Sequence, residues 1–155
     1  MKKQLVVFYS RTGATRRLAH RLAERLDADV EEIFELHPRR GILRCVFDAL
    51  SGHEPDIAAP LFKASDYERV IVGSPVWAGR VASPVRSYLV AYSETFREVS
   101  FFCTCYRHGF SAFADMASLC DRLPRATLMV LASATDVGAS VALDGFVRQL
   151  ASARR

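Results

Sequence analysis

A chain of 155 residues, half of them apolar and a quarter charged, is long enough for one domain over residues 1–155, and no apolar run in it reaches membrane-spanning length. The net charge of +4 rests on 21 basic residues, only 3 of them lysine; no block of five or six occurs, which argues against nucleic acid as a partner. Cys45, Cys103, Cys105 and Cys120 lack C-x-x-C spacing, so neither zinc nor thioredoxin-type chemistry is expected, and the short lead Met1–Gln4 predicts a cytoplasmic chain with reduced thiols.

The first element is an apolar run, Gln4 to Tyr9, that fits a strand buried on both faces. A helix from Gly13 to Leu26 follows, with Leu18, Leu22 and Leu26 on one stripe backed by Ala19 and Ala23. Between them lies Ser10-Arg11-Thr12-Gly13-Ala14-Thr15, which has three hydroxyls, one glycine and no acid. The hydroxyls suit two readings: they cap the helix and fill the turn, or they join the free N–H groups at the helix start around an anion. Neither G-x-x-x-x-G-K-S/T nor G-x-G-x-x-G is present, so a terminal monophosphate suits the loop better than a di- or triphosphate.

Val30 to Leu36 reads as a second strand, at a sheet edge because of Glu31, Glu32 and Glu35, and His37 to Gly41 breaks it. Ile42, Leu43, Val46, Phe47 and Leu50 predict a short amphipathic helix ended by Ser51-Gly52. Glu54 to Ala64, with two prolines, reads as a loop crossing the sheet edge, either as structural filling or as cover for a site. Arg69 to Gly73 is the third and central strand. Ser83 as N-cap and Pro84 after it start a helix to Tyr92 with Val85, Tyr88, Leu89 and Tyr92 on one face. Val99 to Thr104 is the fourth strand and Ala126 to Ala132 the fifth. The helix between them turns Phe113, Met116, Ala117 and Cys120 inward, and the last helix carries Leu143, Phe146, Val147 and Leu150. Strands alternating with helices imply an α/β parallel sheet covered on both faces, with ligands outside the carboxyl ends of the strands.

S-R-T-G-A-T after a first apolar strand resembles the phosphate loop of the flavodoxin family, S/T-x-T-G-x-T. Val70-Ile71-Val72-Gly73-Ser74-Pro75-Val76-Trp77-Ala78-Gly79-Arg80 is similar to the G-S/T-P-x-W segment of short flavodoxin-like proteins, which lies against the flavin ring. The resemblance implies a flavodoxin-like three-layer sandwich with a five-stranded parallel sheet in the order 2-1-3-4-5 and non-covalent FMN. It assigns the phosphate to Ser10, Arg11, Thr12, Gly13, Ala14 and Thr15, with Arg11 at the variable position pointing to solvent and no arginine salt bridge required. It assigns the isoalloxazine to Ser74, Pro75, Val76, Trp77, Ala78 and Gly79, and its pyrimidine end to Thr104, Cys105, Tyr106 and Gly109.

Within that frame Trp77, the only tryptophan, either stacks on the flavin or caps the core edge. Tyr106 is a candidate second stacking residue. Cys105 is a buried inert thiol or lies near the ring, and His108 is a solvated loop residue or a proton donor. Gly79 frees its peptide to turn a carbonyl toward the reduced flavin.

Residues 1–23, 73–93 and 99–114 contain no Asp or Glu, and they hold the three loops together with Arg11, Arg80, Arg107 and His108. Positive surroundings raise the potential of a bound flavin relative to acidic flavodoxins, and they suit an acidic protein partner or a phosphate-bearing donor such as NADPH. Two functions follow from the resemblance. One is an electron carrier between redox partner proteins. The other is an NAD(P)H- or quinone-coupled FMN oxidoreductase of the quinone-reductase or protoporphyrinogen-oxidase type, although no nicotinamide motif is visible. A binding module without cofactor is a third reading, from a different class.

Overall fold

The first apolar run buries both of its faces, and this sets the layers. Leu5 and Val7 point into one core, Val6 and Phe8 into the other, and all four are fully buried. The computed structural model describes residues 3–38, 41–107 and 111–152. In chain order the elements are β1 (Gln4–Phe8), α1 (Ala14–Leu26), β2 (Asp29–Glu32), α2 (Ile42–Ser51), β3 (Arg69–Trp77), β4 (Arg80–Val81), α3 (Ser83–Tyr92), β5 (Val99–Cys105), α4 (Ala112–Cys120), β6 (Thr127–Leu131) and α5 (Asp136–Ser152). The parallel strands run β2-β1-β3-β5-β6. That is the expected order, with β4 added as a short antiparallel strand on β3. Helices α1 and α5 cover one face; α2, α3 and α4 cover the other.

β2 is an edge strand, as expected, but it stops at Glu32 because β1 ends its pairing there, Phe8 opposite Glu32. The chain then turns, and Glu35 bridges antiparallel to Ile57. Glu31 is buried rather than solvated. Its carboxylate accepts the N–H groups of Leu61 at 3.0 Å and Phe62 at 2.9 Å, which moors the proline-containing loop across the sheet edge.

Two local expectations are corrected. Ser83 does not cap α3: the cap position is Ala82, Ser83 is the first helical residue, and its buried hydroxyl has no partner among the described residues. The apolar stripe of α2 faces out. Its inner face is Cys45, Asp48 and Ala49, while Ile42, Leu43, Phe47 and Leu50 are each more than half exposed. Small inner residues let the helix sit close to the sheet and leave the large apolar ones on the surface.

The cysteines give the fold a pH dependence. Burial pushes the Cys120 thiol up from 9.0 to about 11 and raises Cys103 as well. Well below pH 9 the thiols are protonated in both states and contribute nothing. Above it the unfolded chain loses protons that the folded protein keeps, so stability falls as pH rises, by at most about 1.4 kcal/mol per pH unit for each group. Urea midpoints are expected to decline steadily from pH 8.5 to 10.5; a flat profile would contradict the burial of these thiols.

Candidate functional site

β1 hands over to α1 through a turn that the first loop builds for itself. The Ser10 hydroxyl accepts the Gly13 N–H at 3.1 Å, and Gly13 takes φ of 99°, a region that favours glycine. No side chain caps α1 and its first turn holds no acid. The first bond of the helix is from Arg17 N–H to the Gly13 carbonyl at 3.0 Å, so the N–H groups of Ala14, Thr15 and Arg16 stand at the exposed positive end of the helix.

β3 does not end at Gly73 but runs on to Trp77. Pro75 is accommodated because the backbone at Gly73 faces β1, accepting the Tyr9 N–H at 3.2 Å. Two residues on, Pro75 faces the same side, where β1 has already turned away, so its missing N–H leaves no gap. Ala78 (φ 49°) and Gly79 (φ 77°) then turn the chain back into β4. Positive φ at both central residues is the geometry of the tight hairpin turns that match strand twist. The Ser74 hydroxyl accepts the Ala82 N–H at 3.0 Å and donates to the Pro75 carbonyl at 2.8 Å, closing the base of this hairpin.

The C-terminal ends of β1, β3 and β5 surround a cavity of about 730 Å³. Twelve of the proposed site residues line it: Arg11, Thr12, Ala14 and Thr15 from the first loop, Pro75, Val76, Trp77, Ala78 and Gly79 from the hairpin, and Thr104, Cys105 and Tyr106 from the third. Ser10, Gly13 and Ser74 do not line it. They shape the two turns from behind, because a turn hydroxyl spent on backbone is held away from the opening. Gly109 and His108 lie outside the described residues.

The Thr15 and Thr104 hydroxyls meet at 2.7 Å in a buried contact that locks the first loop to the third. Trp77 is 8% exposed and packs edge-on against Tyr9, ring centres 5.7 Å apart at 89°. The Tyr9 phenol donates to Glu35 at 3.0 Å. Burial first, and then the Glu35 carboxylate, raise its pKa well above the ordinary phenol range, so it remains a donor at neutral pH. Glu35, Tyr9 and Trp77 thus form a chain that fixes the indole at the cavity wall. Tyr106 stands at the rim, 74% exposed. Burial raises the Cys105 thiol, which keeps it neutral where it meets the cavity.

Three features had no local signal. Ile42 and Val46 of α2 complete the cavity wall, a role that their place in a helix stripe does not announce. Arg80, counted with the basic loops, is drawn off by Asp115 of α4: Nε and Oδ2 stand 2.9 Å apart as an ion pair whose angle is not that of a hydrogen bond. The Gly79 carbonyl accepts the Ser111 N–H at 3.1 Å, so this carbonyl, expected to be free to turn, is pinned. Among the described residues no Asp or Glu lines the cavity, whereas Arg11 and Arg107 both do. Among the described residues no cluster could hold a metal ion, and no helix is long and apolar enough to cross a membrane.

No protein-family model and no curated protein matches the sequence. The fold does match solved structures. A flavoprotein in complex with FMN from Lactobacillus acidophilus NCFM shares 22% identity over 84% of this chain and 93% of its own, at a TM-score of 0.71. A candidate flavoprotein from Bacteroides eggerthii DSM 20697 shares 18% over 95% and 99%, at 0.79. Oxidised flavodoxin 1 from Bacillus cereus shares 14% over 97% and 98%, at 0.60. At these identities the likeness is one of fold, and the fold is flavodoxin-like.

Proposed function

We propose that the protein binds FMN non-covalently and works as a flavodoxin-type redox protein. One observation carries the reading: an uncapped, acid-free helix start and the aromatic pair Trp77 and Tyr106 border a single cavity. The donors fit a phosphate, since backbone N–H groups at a helix N-terminus and the Thr12 and Thr15 hydroxyls suit a terminal monophosphate. The volume and apolar walls fit a planar heteroaromatic ring. Bound FMN would supply one- and two-electron transfer. The chain would hold the phosphate at Thr12 to Arg16, set Trp77 along the ring, and use Ile42 and Val46 to keep water out. The fold's likeness to an FMN complex supports the same cofactor.

Calorimetry and a visible spectrum with FMN, FAD and riboflavin test this directly; FMN is expected to bind tightest, and no heat with FMN would overturn it. Because Trp77 is the only tryptophan, its emission should be quenched as FMN binds. Trp77→Ala is expected to weaken FMN by roughly 5- to 150-fold, the equivalent of about 1–3 kcal/mol of base-type stacking. Retained affinity in a folded Trp77→Ala protein would leave the indole as a core cap only.

The surface beside the cavity supports a reading of the partner. Arg11 and Arg107 on the cavity wall stand beside α2 and its outward apolar stripe, where the exposed Arg44 is paired with Asp48, a pattern that fits a redox partner with acidic groups around an apolar centre. The α2 wall also favours a second reading, in which an apolar quinone meets the flavin edge and the protein turns over as an oxidoreductase. Steady-state oxidation of NADPH with a quinone separates the two: turnover marks the enzyme, and its absence with rapid electron exchange to a carrier protein marks the shuttle.

A further inference from the structure

α1 carries four arginines, and three of them are satisfied. Arg16 binds Glu32, its Nε donating to Oε2 at 3.0 Å. Arg21 pairs with Asp136 at 3.5 Å, and Arg25 with Asp144 at 2.8 Å. The Arg17 guanidinium makes no ion pair or hydrogen bond among the described residues. It folds back toward the start of the helix, as helical side chains do, and its Nη1 lies 3.4 Å from where a Cβ on Gly13 would stand; Arg16 Nη1 is 3.8 Å from the same point, but that guanidinium is already held by Glu32. There it borders a groove of about 70 Å³ that shares Ala14, Thr104 and Ala132 with the main cavity and is also lined by Arg21 and Asp136, which pair with each other rather than with Arg17.

This is an unfavourable place for a lone cation. The helix end is already positive, its first turn has no acid, and each satisfied arginine on α1 shows that acids were within the reach of this surface. An anion at the same amides reverses the sign of every one of these interactions. We propose that Arg17 is a direct ligand of the FMN phosphate, donating a charge-assisted hydrogen bond beside the backbone amides. The inference rests on the FMN reading and adds to it. It makes this phosphate loop a charged one, so the protein should discriminate FMN from riboflavin by charge as well as by hydrogen bonding, and its affinity should fall with salt.

The test is calorimetry of FMN and of riboflavin against the full-length protein, Arg17→Gln and Arg25→Gln, each at low and high NaCl. Arg17→Gln is expected to weaken FMN by about 10- to 100-fold, leave riboflavin unchanged, and flatten the salt dependence. Arg25→Gln, on the same helix but held by Asp144 away from the loop, is expected to shift FMN less than 3-fold. Without ligand, Arg17→Gln should melt no lower than the parent, because the variant relieves a cation at a positive helix end. An Arg17→Gln protein that binds FMN within 2-fold of the parent, or that loses riboflavin equally, overturns the assignment while leaving the FMN reading intact. A parent protein that takes up no FMN overturns both.

Discussion

Thr12→Asp is expected to reduce FMN binding by more than 100-fold while leaving the fold and riboflavin binding in place. Residue 12 is exposed, lines the cavity and precedes the free amides of α1. A carboxylate there meets the phosphate dianion at short range in a partly desolvated site, and like charges so placed cost several kcal/mol. The same carboxylate is favourable for the protein alone, because a negative charge near a helix N-terminus adds about 0.3–1 kcal/mol. Function and stability should therefore move in opposite directions, with FMN affinity collapsing by calorimetry and the ligand-free melting temperature held or raised. If FMN and riboflavin affinities fall together, the phosphate is not at this loop.

The second large effect concerns folding. Gly73→Ala is expected to destabilise the protein by about 3 kcal/mol or more, near the upper end of what overpacking costs. A Cβ at residue 73 would lie 2.0 Å from Cζ of Phe102 and within 2.5 Å of both Cε atoms. Phe102 is fully buried on the neighbouring strand β5, directly opposite Gly73, and packs with Phe8, Ile71 and Leu128. Neither the ring nor the central strand can yield without opening that core. Chemical denaturation of Gly73→Ala should show a lower midpoint at unchanged slope, and Gly73→Ala with Phe102→Leu should recover part of the loss through relief of the clash. Equal stability in the single variant would mean that the ring is not seated over Gly73.

The strands and the loops that follow them were readable from local pattern, while the residues that wall the cavity were legible only through the flavodoxin resemblance. Apolar runs at Gln4–Tyr9, Arg69–Gly73 and Val99–Thr104, each followed by a helix, place three loops on one rim of a parallel sheet, and the structure has them there. The same patterns missed the hairpin after Gly73. Pro75 interrupts the apolar run, and Ala78-Gly79 lacks the asparagine or aspartate that usually announces a turn with two positive φ angles. They also gave Ser10, Ser74 and Ser83 roles that depend on where a hydroxyl points. Ser10 and Ser74 are spent on Gly13 and Ala82 backbone, and Ser83 on nothing among the described residues.

The strands and helices therefore belong to the chain by itself: the burial period of its strands and the stripes of α1, α3 and α5 are short-range properties, whereas the order in which the strands pair is a long-range one that only the family resemblance anticipated. The contacts that tune the site do not. Thr15 meets Thr104 across 89 positions, Tyr9 is held by Glu35, Arg80 is taken by Asp115, and Arg17 is left over because Glu32, Asp136 and Asp144 reach its neighbours instead. A side chain's partner depends on which strands lie side by side and how far each acid can extend. Even the outward face of α2 was decided that way, since a stripe of leucine and phenylalanine says only that one side of a helix is apolar, and the close approach of Cys45 and Ala49 to the sheet chose the other side for burial.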